Sequence, residues 1–163
     1  MPLIAEDLGL ITPDVELLRD RFGLPGMRVL QFAFGGDSSN PHLPHNAVPN
    51  TIMYTGTHDN DTTAGWWASA PKDQKAKARR YAPGIEKDAA WEMIRLAWSS
   101  VSEVAIAPIQ DLLGLGSKAR MNTPGKPKGN WGWRIPEGAN YAQSLERLAE
   151  LTELYGRGHA DNA

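Results

Sequence analysis

Thr51-Ile52-Met53-Tyr54-Thr55-Gly56-Thr57-His58-Asp59-Asn60-Asp61-Thr62-Thr63 is the stretch whose reading decides the fold. The run Thr51–Tyr54 is apolar and β-prone, stops at Gly56, and gives way to His, Asp and Asn. A buried parallel strand reads this way when it delivers polar side chains at its carboxyl end. In α/β folds that end is where ligands and chemistry gather. A plainer reading is that Asp59, Asn60 or Asp61 caps a helix through Thr62-Thr63-Ala64-Gly65-Trp66-Trp67, since Asp and Asn are favoured caps.

Working outward, the same alternation recurs on both sides. Leu3-Ile4-Ala5 is apolar and ends at Glu6-Asp7 and Gly9; the chain opens almost inside this strand, as if its leader had been cut away. Thr12-Pro13 pairs an N-cap residue with Pro at the first helical position, Val15, Leu18 and Phe22 mark one face, and Gly23 with Pro25 stops the helix. Met27–Phe34 is a near-continuous apolar run of strand length. Gly35 to Pro49 is a loop rich in Gly, Ser and Pro, long enough to expect a function for it.

Downstream, Pro71–Ala82 is rich in Lys, Arg and Ala and predicts a solvated helix rather than a nucleic-acid patch. Glu86–Glu103 carries Trp91, Ile94, Trp98 and Val101 at helical spacing. Val104–Ile109 reads as a further buried strand ending at Gln110-Asp111. A loop from Ser117 to Pro136 follows, and Tyr141, Leu145, Leu148 and Tyr155 share the face of a closing amphipathic helix. The pattern predicts an α/β fold of about four parallel strands, near residues 2–6, 27–34, 51–56 and 104–109, alternating with helices.

Composition narrows the function classes. The chain has 163 residues and a formal charge of −2, so it has no field to recruit nucleic acid or an anionic membrane. It has no cysteine, which removes disulfides and thiolate metal sites and makes a reducing cytoplasm the expected compartment. No run approaches the length of a membrane helix. Six Trp and four Tyr against three Phe favour surfaces for flat hydroxylated ligands such as sugars, although Trp91 and Trp98 fit a core better.

Glu6-Asp7, His58-Asp59 and Gln110-Asp111 each follow a predicted strand. Two carboxylates facing across a strand-end cleft are what glycoside chemistry needs, one to protonate the leaving oxygen and one to meet positive charge at the anomeric carbon. An alternative is a metal site using His58, Asp59, Asp61, His42 and His45, although the spacing matches none of the strong zinc signatures. Gly35-Gly36 lacks the lysine and the glycine pattern of phosphate-binding loops.

Several blocks resemble one family in the right order: Ile4-Ala5-Glu6-Asp7-Leu8-Gly9, Phe22-Gly23-Leu24-Pro25-Gly26-Met27, Val29-Leu30-Gln31-Phe32-Ala33-Phe34, Tyr54–Thr62, Arg120-Met121-Asn122 and Gly129-Asn130-Trp131. These resemble the C-terminal part of amylomaltases, the 4-alpha-glucanotransferases or disproportionating enzymes of the α-amylase superfamily. The resemblance implies a (β/α)8 TIM barrel that moves α-1,4-glucan segments between maltooligosaccharides with retention. It implies Glu6 as general acid/base, Asp59 as the carboxylate stabilising the oxocarbenium-like transition state, and His58 and Asn122 as sugar contacts. It implies no metal and no organic cofactor.

The family's nucleophile is an Asp at the end of the fourth strand, and no copy of that motif occurs in this sequence. A whole barrel needs about 250 residues. Residues 1–163 are therefore expected to form the C-terminal half of the catalytic barrel, without the N-terminal half and inserted domains. Such a half leaves sheet edges open, so self-association or pairing with the other half is expected. A non-catalytic glucan-binding or scaffold role is the alternative from another class.

Overall fold

The computed structural model describes residues 3–139 and 141–158. Its centre is a sheet of β1 (Gly26–Val29), β2 (Thr51–Tyr54) and β3 (Val104–Ile106), parallel throughout and in that order. Met27 stands opposite Ile52, and Tyr54 opposite Ile106. Parallel neighbours need long crossovers. Between β2 and β3 the crossover is helical, made of α2 (Thr63–Ser69), α3 (Lys72–Tyr81) and α4 (Ala89–Trp98). Helix α1 (Pro13–Arg21) precedes β1, and α5 (Ile109–Leu112) and α6 (Ala142–Leu154) follow β3.

The α/β architecture matches the expectation, but the described residues contain three strands where about four were predicted. The expected strand near residues 2–6 begins at Pro2, outside the described residues, and Leu3–Glu6 is not a strand. The reason lies in one side chain. Ala5 N–H donates to the Pro25 carbonyl at 3.0 Å, as a rung of a parallel pair would. The next donor of such a ladder, Met27 N–H, goes instead to Asp7 Oδ1 at 2.6 Å. The segment therefore runs beside β1 without joining the sheet.

The run Met27–Phe34 also departs from the prediction. β1 ends at Val29, and Leu30–Phe32 turns as a 3-10 helix, with Ala33 N–H on the Leu30 carbonyl at 3.0 Å. Leu30, Ala33 and Phe34 are nonetheless buried. An apolar run reads alike as a strand and as a buried turn.

Helix α4 supplies most of the core. Trp91, Met93, Ile94, Leu96 and Trp98 pack with Leu30, Phe34 and Met53, and the Asp88 carboxylate caps the helix by accepting the Trp91 N–H at 3.2 Å. Val101 was expected on this face, but α4 stops at Trp98 and leaves Val101 59% exposed. The carbonyls beyond that stop are received by Arg157, which donates to the oxygens of Trp98, Ser100 and Ser102 at 2.6, 2.6 and 2.9 Å. This fixes the end of α6 against α4. As predicted, α3 is a solvated basic helix, burying only Ala78.

The flanks of the sheet are apolar and open. Val15, Leu18 and Phe22, the predicted face of α1, are 45%, 58% and 68% exposed, and Val104 and Ile106 on the edge strand β3 are also exposed. The helix forms where its Thr-Pro start and Gly-Pro stop direct, yet none of its residues is buried among the described residues.

Candidate active site

A cleft of about 1100 Å³ opens where β2 and β3 end; Tyr54, the segment Gly56–Asp61, Ile106 and Pro108 form its walls with Gln31, Glu6 and Arg120. Glu6, His58 and Asp59 thus line one cavity. Glu6, His58 and Asp59 are all exposed.

The turn carrying His58 and Asp59 is shaped by its own polar residues. Asn60 Oδ1 accepts both the N–H and the O–H of Thr57 at 2.9 Å. Asp61 accepts the Thr62 N–H at 2.8 Å on Oδ1 and the Ser117 hydroxyl at 2.7 Å on Oδ2. The helix cap is Thr62, whose Oγ1 accepts the Gly65 N–H at 3.1 Å. The capping reading for Asp59, Asn60 or Asp61 is therefore corrected: Thr62 caps α2, and Asp59 faces the cleft. Gln31 reaches under the turn to donate to the Asp61 carbonyl at 2.9 Å. It passes so close to Gly56 that a Cβ there would lie 2.5 Å from Gln31 Nε2, so a side chain at this position would push Gln31 aside.

A second loop closes on the first. Asn122 Nδ2 donates to Asp59 Oδ1 at 2.5 Å, and His58 Nε2 lies 3.4 Å from the same oxygen. The Asn122 N–H donates to the His58 carbonyl at 3.1 Å, and Arg120 donates to the Asp59 carbonyl at 2.7 Å. Asn122 is therefore a direct partner of the Asp59 carboxylate. Asn130 ties the loop together by accepting the Thr123 N–H at 3.0 Å, and Trp131 N–H returns to the Met121 carbonyl at 2.7 Å. Trp131 takes the left-handed backbone at φ 61°, costly for a side chain of its size. In that conformation its ring lies 5.2 Å from the His58 ring and stays 54% exposed. Arg120, Gln31 and Trp131 were missed as site residues; only the crowding of Trp beside Gly and Asn hinted at the last.

Asp7 explains how Glu6 is placed. Its side chain is 4% exposed and accepts from Met27 N–H, from Arg19 at 2.5 Å and from Arg28 at 3.4 Å. Burial works to raise its pKa, but the Met27 amide, the Arg19 hydrogen bond and the two guanidinium charges outweigh this and hold it below the ordinary 3.8. A carboxylate with a depressed folded pKa stabilises the fold above its unfolded pKa and loses that contribution as pH falls through the folded value. Replacing Asp7 by Ala removes the acceptor shared by Met27 N–H, Arg19 and Arg28, leaving Arg19 on Asp20 and Arg28 on the Met27 carbonyl, and is expected to cost about 2 kcal/mol. Urea unfolding at pH 7 and at pH 3 checks both points: Asp7→Ala lies well below wild type at pH 7, and the gap narrows at pH 3.

Asp111 does not face the cleft, contrary to expectation. It is 1% exposed and accepts from Thr55 Oγ1 at 2.6 Å, Thr63 N–H at 2.7 Å and Thr63 Oγ1 at 2.7 Å. Burial raises its pKa above the ordinary range despite these donors. The metal alternative also fails to assemble. His42 Nδ1 accepts the Val29 N–H at 3.1 Å, His45 stacks on Tyr81, and among the described residues no three His, Cys, Asp or Glu side chains converge.

A sequence model of the 4-alpha-glucanotransferases matches residues 1–140. The chain belongs to this family. It is 54% identical over 95% of its length to the chloroplastic/amyloplastic 4-alpha-glucanotransferase of Arabidopsis thaliana, and covers 28% of that protein. It is 51% identical over 94% of its length to the 4-alpha-glucanotransferase of Thermus thermophilus, covering 33% of it. Among solved structures, the amylomaltase of Streptococcus agalactiae in complex with acarbose matches 98% of the chain at 36% identity with a TM-score of 0.90, over 32% of its own length. A fold likeness alone links the chain to the amylomaltase of Corynebacterium glutamicum, at 16% identity and a TM-score of 0.64. The chain thus spans about a third of the length of these family members.

Proposed function

We propose that this chain carries the acid/base and the transition-state stabiliser of a retaining 4-alpha-glucanotransferase acting on α-1,4-glucans and maltooligosaccharides. The observation that carries the proposal is that Glu6, His58 and Asp59 line one cleft beyond the strand ends, with Asn122 bonded to the Asp59 carboxylate. Glu6 protonates the leaving glycosidic oxygen and then deprotonates the 4-hydroxyl of the acceptor glucan. Asp59 faces the positive charge that develops at the anomeric carbon, and His58 hydrogen-bonds the sugar beside it. The covalent step needs a third carboxylate as nucleophile, which we assign to a part of the barrel not contained in residues 1–163.

On this reading the chain is the C-terminal half of a (β/α)8 barrel. The open flanks support it: a strand beyond β3 would cover Val104 and Ile106, and a neighbouring helix would cover Leu18 and Phe22. We place the protein in the cytoplasm on its cysteine-free composition; among the described residues no helix is long and apolar enough to cross a membrane.

The test is maltotriose incubated with the purified chain, with the upstream two-thirds of the Thermus thermophilus relative, and with both. Glucose and a ladder of longer maltooligosaccharides are expected only from the mixture. Glucan binding without products in any combination would favour the non-catalytic role. Sedimentation of the chain alone is expected to show self-association that gives way to a mixed complex. A monomer at micromolar concentration in both conditions would count against the open-flank argument.

A further inference from the structure

One buried carboxylate has no part in the reaction just described. Asp111 lies in α5, after β3, and its donors come from the two ends of a single segment. Thr55 is the residue at which β2 hands over to the site turn, and Thr63 is the first residue of α2. Thr55 Oγ1 and Thr63 Oγ1 both donate to Oδ2 of Asp111, at 2.6 and 2.7 Å, while Thr63 N–H donates to Oδ1 at 2.7 Å. Everything between these two residues, His58 and Asp59 included, is a loop whose ends meet on one carboxyl group.

We propose that Asp111 is a positioning residue for His58 and Asp59, acting as a clamp that fixes both ends of the turn bearing them. The inference goes beyond the proposed function and rests on it only for the claim that these two side chains meet sugar.

The clamp has features that a mere buried ion would lack. Its donors converge on both oxygens of one carboxylate that is 1% exposed and is pushed by burial toward its neutral form. A buried carboxylate without a cation partner is costly unless its hydrogen bonds are in place. Thr55 and Thr63 are themselves 0% exposed, so water cannot replace either hydroxyl. Loss of the clamp also leaves the interior ties of the turn working against freer ends. These ties include Asn60 to Thr57, Gln31 to Asp61, Arg120 to the Asp59 carbonyl, Ser117 to Asp61, and Asn122 to Asp59 and the His58 carbonyl. Several of them come from side chains that are partly exposed, where competition with water weakens them.

Asp111 also lies against the start of α2, and capping alone would explain its bond to the Thr63 N–H. Capping does not explain Thr55, which lies at the other end of the turn. That second contact separates a positioning role from a purely structural one.

The test reads the turn itself, by amide hydrogen exchange and ¹⁵N-edited NMR on the whole chain without sugar, in wild type, Asp111→Asn and Asp111→Ala. The amides of Thr57 and Asn60, which bond within the turn, report its order. The amides of Met53 in β2 and Ile94 in α4 report the fold. In Asp111→Ala, protection at Thr57 and Asn60 is expected to fall by about tenfold or more while Met53 and Ile94 stay within about threefold. Asp111→Asn keeps an acceptor for the Thr63 amide and can turn its NH₂ toward a Thr hydroxyl, so it is expected to restore most of the protection.

Thr55→Val, which removes one hydroxyl at constant shape, is read in parallel and decides the matter if Asp111→Ala does not fold. It is expected to loosen Thr57 and Asn60 without moving Ile94. Unchanged protection of the turn in a folded Asp111→Ala, or in Thr55→Val, would overturn the proposal. Titration of the same proteins with acarbose tests the functional reading separately. If wild type mixed with the upstream two-thirds of the relative binds no sugar, the proposed function fails while the exchange data still decide the clamp.

Discussion

Glu6→Gln is expected to abolish the maltooligosaccharide ladder proposed for the chain with a supplied upstream half, lowering kcat by about 10²–10⁴-fold. Gln keeps the length and the acceptor oxygen of Glu but has no proton to transfer. The substitution therefore tests chemistry with little change of shape. Its structural cost is small for a local reason. Glu6 is exposed, and the segment is held by its neighbours, through the Ala5 N–H on Pro25 and the Asp7 carboxylate on Met27, Arg19 and Arg28. Thermal unfolding of Glu6→Gln should overlay that of wild type, and acarbose should still bind. A substrate with an activated leaving group, such as a maltosyl fluoride, needs no protonation and should recover much of the lost rate in the glycosylation step. Full activity of Glu6→Gln on maltotriose would remove Glu6 from the mechanism.

How far this could be read from the sequence depends on what kind of signal each element leaves. The turn Gly56–Asp61 was legible because an apolar β-prone run that breaks into His, Asp and Asn has few other uses. Helix α4 was legible because Trp91, Ile94 and Trp98 repeat at helical spacing. The strand lengths were not, since Leu30 and Gln31 are buried as deeply as strand residues while Leu30–Phe32 turns as a 3-10 helix, and an apolar run carries no trace of the difference. The segment near Glu6 failed as a strand for a reason that propensity cannot express: the Asp7 side chain intercepts the Met27 donor. Asp111 was grouped with the cleft carboxylates because all three pairs follow predicted strands, and only the three-dimensional structure reveals that it turns inward to Thr55 and Thr63. Long-range partners of this sort, such as Arg120 on Asp59 or Arg157 on the end of α4, join residues far apart in the chain and leave no local pattern.

Asp59→Asn is expected to lower kcat by about 10²–10³-fold in the reconstituted system, with KM changed much less. In the proposed mechanism the charge of Asp59 matters most when the anomeric carbon becomes cationic, so its loss is expected to fall on the transition state more than on the bound ground state. The geometry adds a constraint that a point charge would not. Asp59 Oδ1 is shared by the Asn122 amide at 2.5 Å and His58 Nε2 at 3.4 Å, so the carboxylate is oriented as well as charged. An Asn at position 59 can present its NH₂ to Asn122, which sets two donors face to face and turns the side chain away. Asn122→Ala alone leaves the charge and removes one orienting bond, and its effect should be about tenfold, the scale of one hydrogen bond to a charged group. The double variant is the sharper measurement. If Asn122 acts only through Asp59, adding Asn122→Ala to Asp59→Asn should cost little more than Asp59→Asn alone, a clear departure from additivity. Additive losses would instead mean that Asn122 meets the sugar in its own right, as the family resemblance first implied. Because Asp59 is 49% exposed, neither substitution should move the unfolding midpoint, and a large shift there would assign the loss to the fold.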